Sequence, residues 1–126
     1  MKIAFTGGGT GGHFYPLIAI AEAINEIVDE KQIVVPALYY LAPEPFDEQA
    51  LFQNRMMFIR IPAGKVRRYR SFLNITDTFI TLMGILRALI TLFRLYPDVV
   101  VSKGGYGSVP TVVAAHWLRI PIVIHE

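Results

Sequence analysis

The 126-residue chain has no cysteine, a single tryptophan and only 17% charged residues. Without cysteine there is no disulfide, no thiolate metal site and no cysteine nucleophile. No basic stretch followed by a long apolar segment opens the chain, because Gly7–Gly12 interrupts the first apolar run; no secretory signal is expected, and a cytoplasmic location is. Internal repeats and low-complexity tracts are lacking too. The net charge of +2 is small, and no nucleic-acid partner is expected. What the chain does have is a 53% hydrophobic composition, enough for one compact core, so a single domain is expected.

Strand and helix signals alternate along it. Lys2–Thr6 is a short apolar run ended by glycines, as in a buried parallel strand. Pro16 suits a first helical position, and Leu17, Ile20, Ala21, Ile24, Ile27 and Val28 recur at helical spacing. A second strand is expected over 33–42, with Pro36 near its start, then a short helix over 46–54 and a third strand over 57–61. Val99–Ser102 and Ile122–His125 read as two more strands, separated by a helix that Pro110 opens. The pattern predicts an α/β fold, a Rossmann-like doubly wound parallel sheet with right-handed crossovers. The chain ends just after a strand, where such a fold would continue with another loop and helix.

The segment 74–95 is long and helical in pattern, with Asp77, Arg87 and Arg94 as its only charges. A membrane span needs about 20 nearly uninterrupted apolar residues, and a central arginine costs about 2.5 kcal/mol or more there. Asp77, Thr81, Gly84, Ala88 and Thr91 also form one small or polar stripe. The expectation is an amphipathic helix packed on the sheet. Just before it, Arg60, Lys65, Arg67, Arg68 and Arg70 crowd five basic residues together. Lys65, Arg67, Arg68 and Arg70 beside the apolar Phe72, Leu73, Ile75 and Phe79 have the makeup of a peripheral contact with an anionic membrane surface.

Two glycine loops carry the chemistry. Gly7, Gly8, Gly9, Gly11 and Gly12 surround Thr10 between a strand and a helix, a context in which backbone N–H groups and the helix dipole favour phosphate. Gly7, Gly9 and Gly12 fit the dinucleotide fingerprint formally, but Glu44 is a poor acidic partner after the second strand. A Walker loop is excluded, since His13-Phe14 stands where Lys and Ser or Thr are required. His13 opens the helix at the ligand-binding end of the sheet, placed to take a proton or to hydrogen-bond a sugar or phosphate. Gly104, Gly105 and Tyr106 lie at the equivalent end of the fourth strand, and His125-Glu126 at that of the fifth. One crevice is expected to gather all three. His116, within the last helix, reads as a surface or packing residue.

Gly8-Gly9-Thr10-Gly11-Gly12-His13, with Pro16, Ala19 and Ala21 after it, resembles the signature of the MurG-like glycosyltransferases, family 28 of the GT-B class. Pro97-Asp98-Val99-Val100, Gly104-Gly105-Tyr106 with Ser108 and Pro110, and Ile120-Pro121 with His125-Glu126 resemble further segments of that family in the same order. The chain departs from it at Lys103, where a small or apolar residue is expected, and at Gly107-Ser108-Val109, where Val-Ser-Gly is common.

The resemblance implies an inverting N-acetylglucosaminyltransferase of peptidoglycan synthesis, with 1–126 as its amino-terminal, acceptor-binding domain, inactive alone. UDP-N-acetylglucosamine would be the donor, held mostly by a carboxyl-terminal domain, and undecaprenyl-pyrophosphoryl-MurNAc-pentapeptide the acceptor. The enzyme would sit peripherally on the cytoplasmic face of the plasma membrane and need no cofactor or essential metal. Gly8, Gly9, Gly104, Gly105 and Tyr106 would grip the acceptor pyrophosphate, and Thr10, Gly11 and Gly12 would border the donor. His13 would activate the acceptor hydroxyl, with Glu126 and Tyr106 as orienting or alternative acid–base groups. Two other readings stay open: a membrane-associated subunit of a split glycosyltransferase, and a non-catalytic phosphate- or dinucleotide-binding module.

Overall fold

A computed structural model describes residues 1–8, 11–64 and 72–125, the side chains of 72–74 excepted. Gly9, Thr10, Lys65, Arg67, Arg68, Arg70 and Glu126, and the side chains of Phe72 and Leu73, lie outside the described residues.

Five parallel strands form one sheet: β1 (Lys2–Gly7), β2 (Ala37–Ala42), β3 (Met56–Arg60), β4 (Val99–Gly104) and β5 (Ile122–Ile124), in the order β3-β2-β1-β4-β5. Helices α1 (Gly11–Lys31), α2 (Glu48–Gln53), α3 (Phe72–Leu95) and α4 (Val109–Trp117) make the crossovers. The strand order reverses between β1 and β4, the place where a doubly wound sheet opens a ligand crevice at its carboxyl edge. Alternation along the strands separates two cores. Ile3, Phe5, Leu38 and Tyr40 pack with Phe14, Leu17 and Ala21 of α1, whereas Ala4, Leu41 and Val100 pack with Ala88 and Leu92 of α3 and Ala114 of α4.

Element boundaries depart from expectation at two prolines. β2 starts after Pro36 rather than around it, and Ile33, Val34 and Val35 are exposed. Helix α1 starts at Gly11, five residues before the proline read as its opening, so Pro16 lies inside it. Lacking an N–H, Pro16 cannot donate to the Gly12 carbonyl, and the first turn depends correspondingly more on packing. Phe14 provides that packing: it is fully buried, with its ring centroid 5.3 Å from Tyr40 and 5.0 Å from Phe46. Burying such a ring is worth about 1.5–3 kcal/mol.

The amphipathicity of α3 is reversed from that of an ordinary sheet-covering helix. Its small stripe faces inward. Thr81 Oγ1 accepts a hydrogen bond from the Gly64 N–H at 2.9 Å, Gly84 lies against the Pro62 carbonyl, and Ala88 is fully buried. The stripe is therefore a seat for the chain segment 61–64. Apart from the fully buried Leu92, most of the large side chains point out: Ile75, Phe79, Leu82, Met83, Leu86, Ile90 and Phe93 are 49–71% exposed. Gly84 is what lets Pro62 approach so closely, since an added Cβ would overlap the carbonyl oxygen. A Gly84→Leu substitution is expected to lower stability by about 3 kcal/mol through overpacking, read as a fall in thermal midpoint. An unchanged midpoint would show that 61–64 is not seated there.

Candidate active site

The site begins where β1 and β4 run out. Thr6 is the last β1 residue in register with β2, and its buried hydroxyl donates to the Leu41 carbonyl at 2.8 Å. One residue on, the fully buried Tyr40 donates its hydroxyl to the Gly7 carbonyl at 3.1 Å. Burial pushes the Tyr40 phenol well above its ordinary range, and neighbouring Tyr106 adds to the rise, so the hydroxyl keeps its proton as a donor. The first turn of α1, carrying Gly11, Gly12 and His13, follows the loop. Its N–H groups are those a helix leaves without intrahelical acceptors, at the positive end of the dipole.

The second loop is braced by its own hydroxyls. Ser102 Oγ accepts from the Gly104 N–H at 3.2 Å, and Ser108 Oγ donates to the Gly105 carbonyl at 2.8 Å, ahead of a 3-10 turn over Tyr106–Ser108. Gly105 has a φ of 85°, a left-handed conformation in which a side chain is strained. It is also where the two loops meet. A Cβ there would overlap the Gly8 carbonyl and lie 3.1 Å from His13 Nδ1. The imidazole of His13, partly exposed, thus lies against the second loop at Gly105. Gly107 continues the contact against the Pro43 ring and the Gly7 carbonyl.

Gly8, Gly11, Gly12, His13, Gly104, Gly105 and Tyr106 therefore occupy the carboxyl edge together, as the two loops predict. His125 falls on the same edge, its N–H donating to the Ser102 carbonyl at 2.8 Å, with the side chain exposed next to β4. No contact draws it to the first loop among the described residues. His116 is exposed on α4, a surface residue as expected. Ile75 and Phe79 lie on the outward face of α3.

Sequence reasoning missed the β2 side of the site. A cavity of about 180 Å³ opens beside the first loop, lined by Gly8, Tyr40, Pro43, Glu44, Phe46 and Tyr106. Glu44, dismissed as a dinucleotide partner, is one of its walls. The signal was positional: these residues occupy or follow the carboxyl end of β2, next to β1 in any sheet of this type. Gly105→Ala is expected to cut turnover about a hundredfold by pushing His13 and the Gly8 carbonyl apart. Full turnover in that variant would mean that the two loops do not need this contact.

A Rossmann-like sheet with two glycine loops meeting beside a histidine in the first turn of a helix defines an α/β domain with a candidate anion-binding crevice at its switch point. Residues 3–126 match the glycosyltransferase family 28 N-terminal domain, and the chain belongs to that family. It is 39% identical over 98% of its length to the UDP-N-acetylglucosamine–N-acetylmuramyl-(pentapeptide) pyrophosphoryl-undecaprenol N-acetylglucosamine transferase of Treponema denticola, covering 32% of that protein. The protein of the same name from Borrelia garinii subsp. bavariensis is 38% identical over 99% of the chain, which covers 34% of it. The chain thus spans about a third of the length of the curated relatives it matches. Among solved structures, MurG of Acinetobacter baumannii superposes with a TM-score of 0.76 at 25% identity, over 99% of this chain and 35% of that one. The UDP-GlcNAc 2-epimerase of Neisseria meningitidis gives a TM-score of 0.60 at 19% identity over 100% of this chain and 32% of that one, a likeness of fold.

Proposed function

We propose that this chain is the acceptor-binding domain of an enzyme that moves N-acetylglucosamine from UDP-N-acetylglucosamine to undecaprenyl-pyrophosphoryl-MurNAc-pentapeptide with inversion. The observation that carries the reading is the meeting of both glycine loops at His13 within a family 28 domain. In it, the acceptor pyrophosphate lies against the N–H groups of Gly8, Gly9 and Gly105, over the backbone of Gly104 and beside Tyr106, while Gly11 and Gly12, with Thr10, border the donor. The acceptor hydroxyl attacks the donor's anomeric carbon, the new C–O bond forms as the bond to UDP breaks, and UDP departs with the electron pair. His13 takes the hydroxyl's proton. Glu126 and Tyr106 orient the reacting groups or share that proton transfer. A carboxyl-terminal domain supplies most of the donor site.

The lipid-linked acceptor lies at a membrane, and α3 gives this domain a way to reach it. The helix segment Ile75–Leu95 is long and apolar enough to cross a bilayer, yet its inward stripe is occupied by 61–64 and α4, leaving one face for the boundary. That face, flanked in sequence by Lys65, Arg67, Arg68 and Arg70, docks on an anionic surface with aliphatic and aromatic groups at the headgroup level. Location on the cytoplasmic face of the plasma membrane follows from the donor and acceptor. The test is transfer of labelled N-acetylglucosamine to the lipid-linked acceptor by the full-length enzyme. Absence of labelled lipid product would refute the reading.

A further inference from the structure

Glycine loops that present N–H groups to an anion must keep their carbonyls turned away, and each carbonyl needs a donor of its own. In the second loop Ser108 fills that need for Gly105 from within the loop. In the first loop the donor to the Gly7 carbonyl comes from a different strand, through the Tyr40 side chain. Tyr40 is fixed on three sides: it is fully buried, its ring centroid lies 5.3 Å from Phe14 and 6.2 Å from Phe58, and a Cβ at Gly8 would lie 3.6 Å from its hydroxyl. Tyr40 also borders the cavity that Tyr106 lines.

We propose that Tyr40 is a positioning residue for the transfer reaction, its hydroxyl holding the Gly7 carbonyl so that the first glycine loop stays set to receive the acceptor pyrophosphate. The assignment rests on the acceptor reading given above. It differs in kind from a packing role, because the ring alone would fill the core equally well. The retained proton of the buried phenol keeps it a donor at neutral and mildly alkaline pH. Because the ring still fills its place in the core, removing the hydroxyl should loosen the loop more than it weakens the fold.

The experiment is Tyr40→Phe in the full-length enzyme, with Leu92→Ala, in the core on the other face of the sheet, as a packing control. Interactions of the loop with pyrophosphate are made in ground and transition states alike, so the acceptor KM is expected to rise about tenfold with kcat within about twofold. Backbone NMR order parameters at Gly8, Gly11 and Gly12 are expected to fall while those of Leu17–Val28 of α1 stay unchanged. Leu92→Ala lowers the thermal midpoint and moves neither readout. An unchanged acceptor KM, or unchanged order parameters in the loop, in Tyr40→Phe overturns the proposal. If the unsubstituted enzyme transfers nothing to the acceptor, the functional reading fails, and the order parameters alone still decide whether Tyr40 sets the loop.

Discussion

Replacing His13 with alanine in the full-length enzyme is expected to lower kcat by about a hundredfold to ten-thousandfold, with the acceptor KM within a few-fold of the original. The split follows from where the residue sits. Its imidazole rests on Gly105 at the joint of the two loops, and the backbone groups assigned to the pyrophosphate belong to glycines on either side of it. Removing the side chain leaves those backbone groups in place, so binding survives. What is lost is the group that accepts the acceptor hydroxyl's proton as the glycosidic bond forms. Single-turnover kinetics at saturating acceptor check this directly. A variant with near-normal turnover would move the base to Tyr106 or Glu126, and one with raised KM alone would make His13 a binding group.

The second large effect concerns α3. Replacing Phe79, Met83 and Leu86 together with glutamine is expected to weaken binding to anionic phospholipid vesicles about a hundredfold. Full burial of a large apolar side chain contributes about 1.5–3 kcal/mol and burial only to the headgroup boundary about half of that or less, so these three, each more than half exposed in the free domain, together contribute about 3 kcal/mol, or about a hundredfold at about 1.4 kcal/mol per tenfold. The substitutions should leave the thermal midpoint nearly unchanged, since the inward stripe of Thr81, Gly84 and Ala88 is untouched. Raising salt should weaken the remaining binding by screening the basic residues before the helix. Vesicle co-sedimentation at two ionic strengths separates the two contributions. Undiminished binding by the triple variant would show that another surface meets the membrane.

The same helix shows where a sequence is legible and where it is not. Its length and its stripe of small residues could be read from spacing alone, because helical periodicity is a local property. Which face turned inward could not, since that depended on the chain at 61–64 filling the stripe, a contact between residues such as Gly84 and Pro62 far apart in sequence. The strands around the loops were readable for a similar local reason: short apolar runs ending in glycine have few other uses in an α/β chain. Pro16 misled because it fits a first helical turn so well. Here the Phe14 packing extends α1 back to Gly11 despite the missing N–H. The site was half visible. Both glycine loops and His13 announce themselves by composition, whereas Tyr40 looks like any aromatic residue in a buried strand until its hydroxyl is seen on Gly7.

The central claim is that the two loops and His13 serve transfer onto a lipid-linked sugar, and one measurement tests it most directly. The full-length enzyme is incubated with UDP-N-acetylglucosamine and the undecaprenyl-pyrophosphoryl acceptor in vesicles, and the anomeric configuration of the product is read by NMR. The account predicts an acceptor-dependent, β-linked lipid product, formed with loss of UDP and slowed about a hundredfold or more by His13→Ala. Consumption of UDP-N-acetylglucosamine without acceptor, as an epimerase of the same fold would show, or a product with retained configuration, would contradict it.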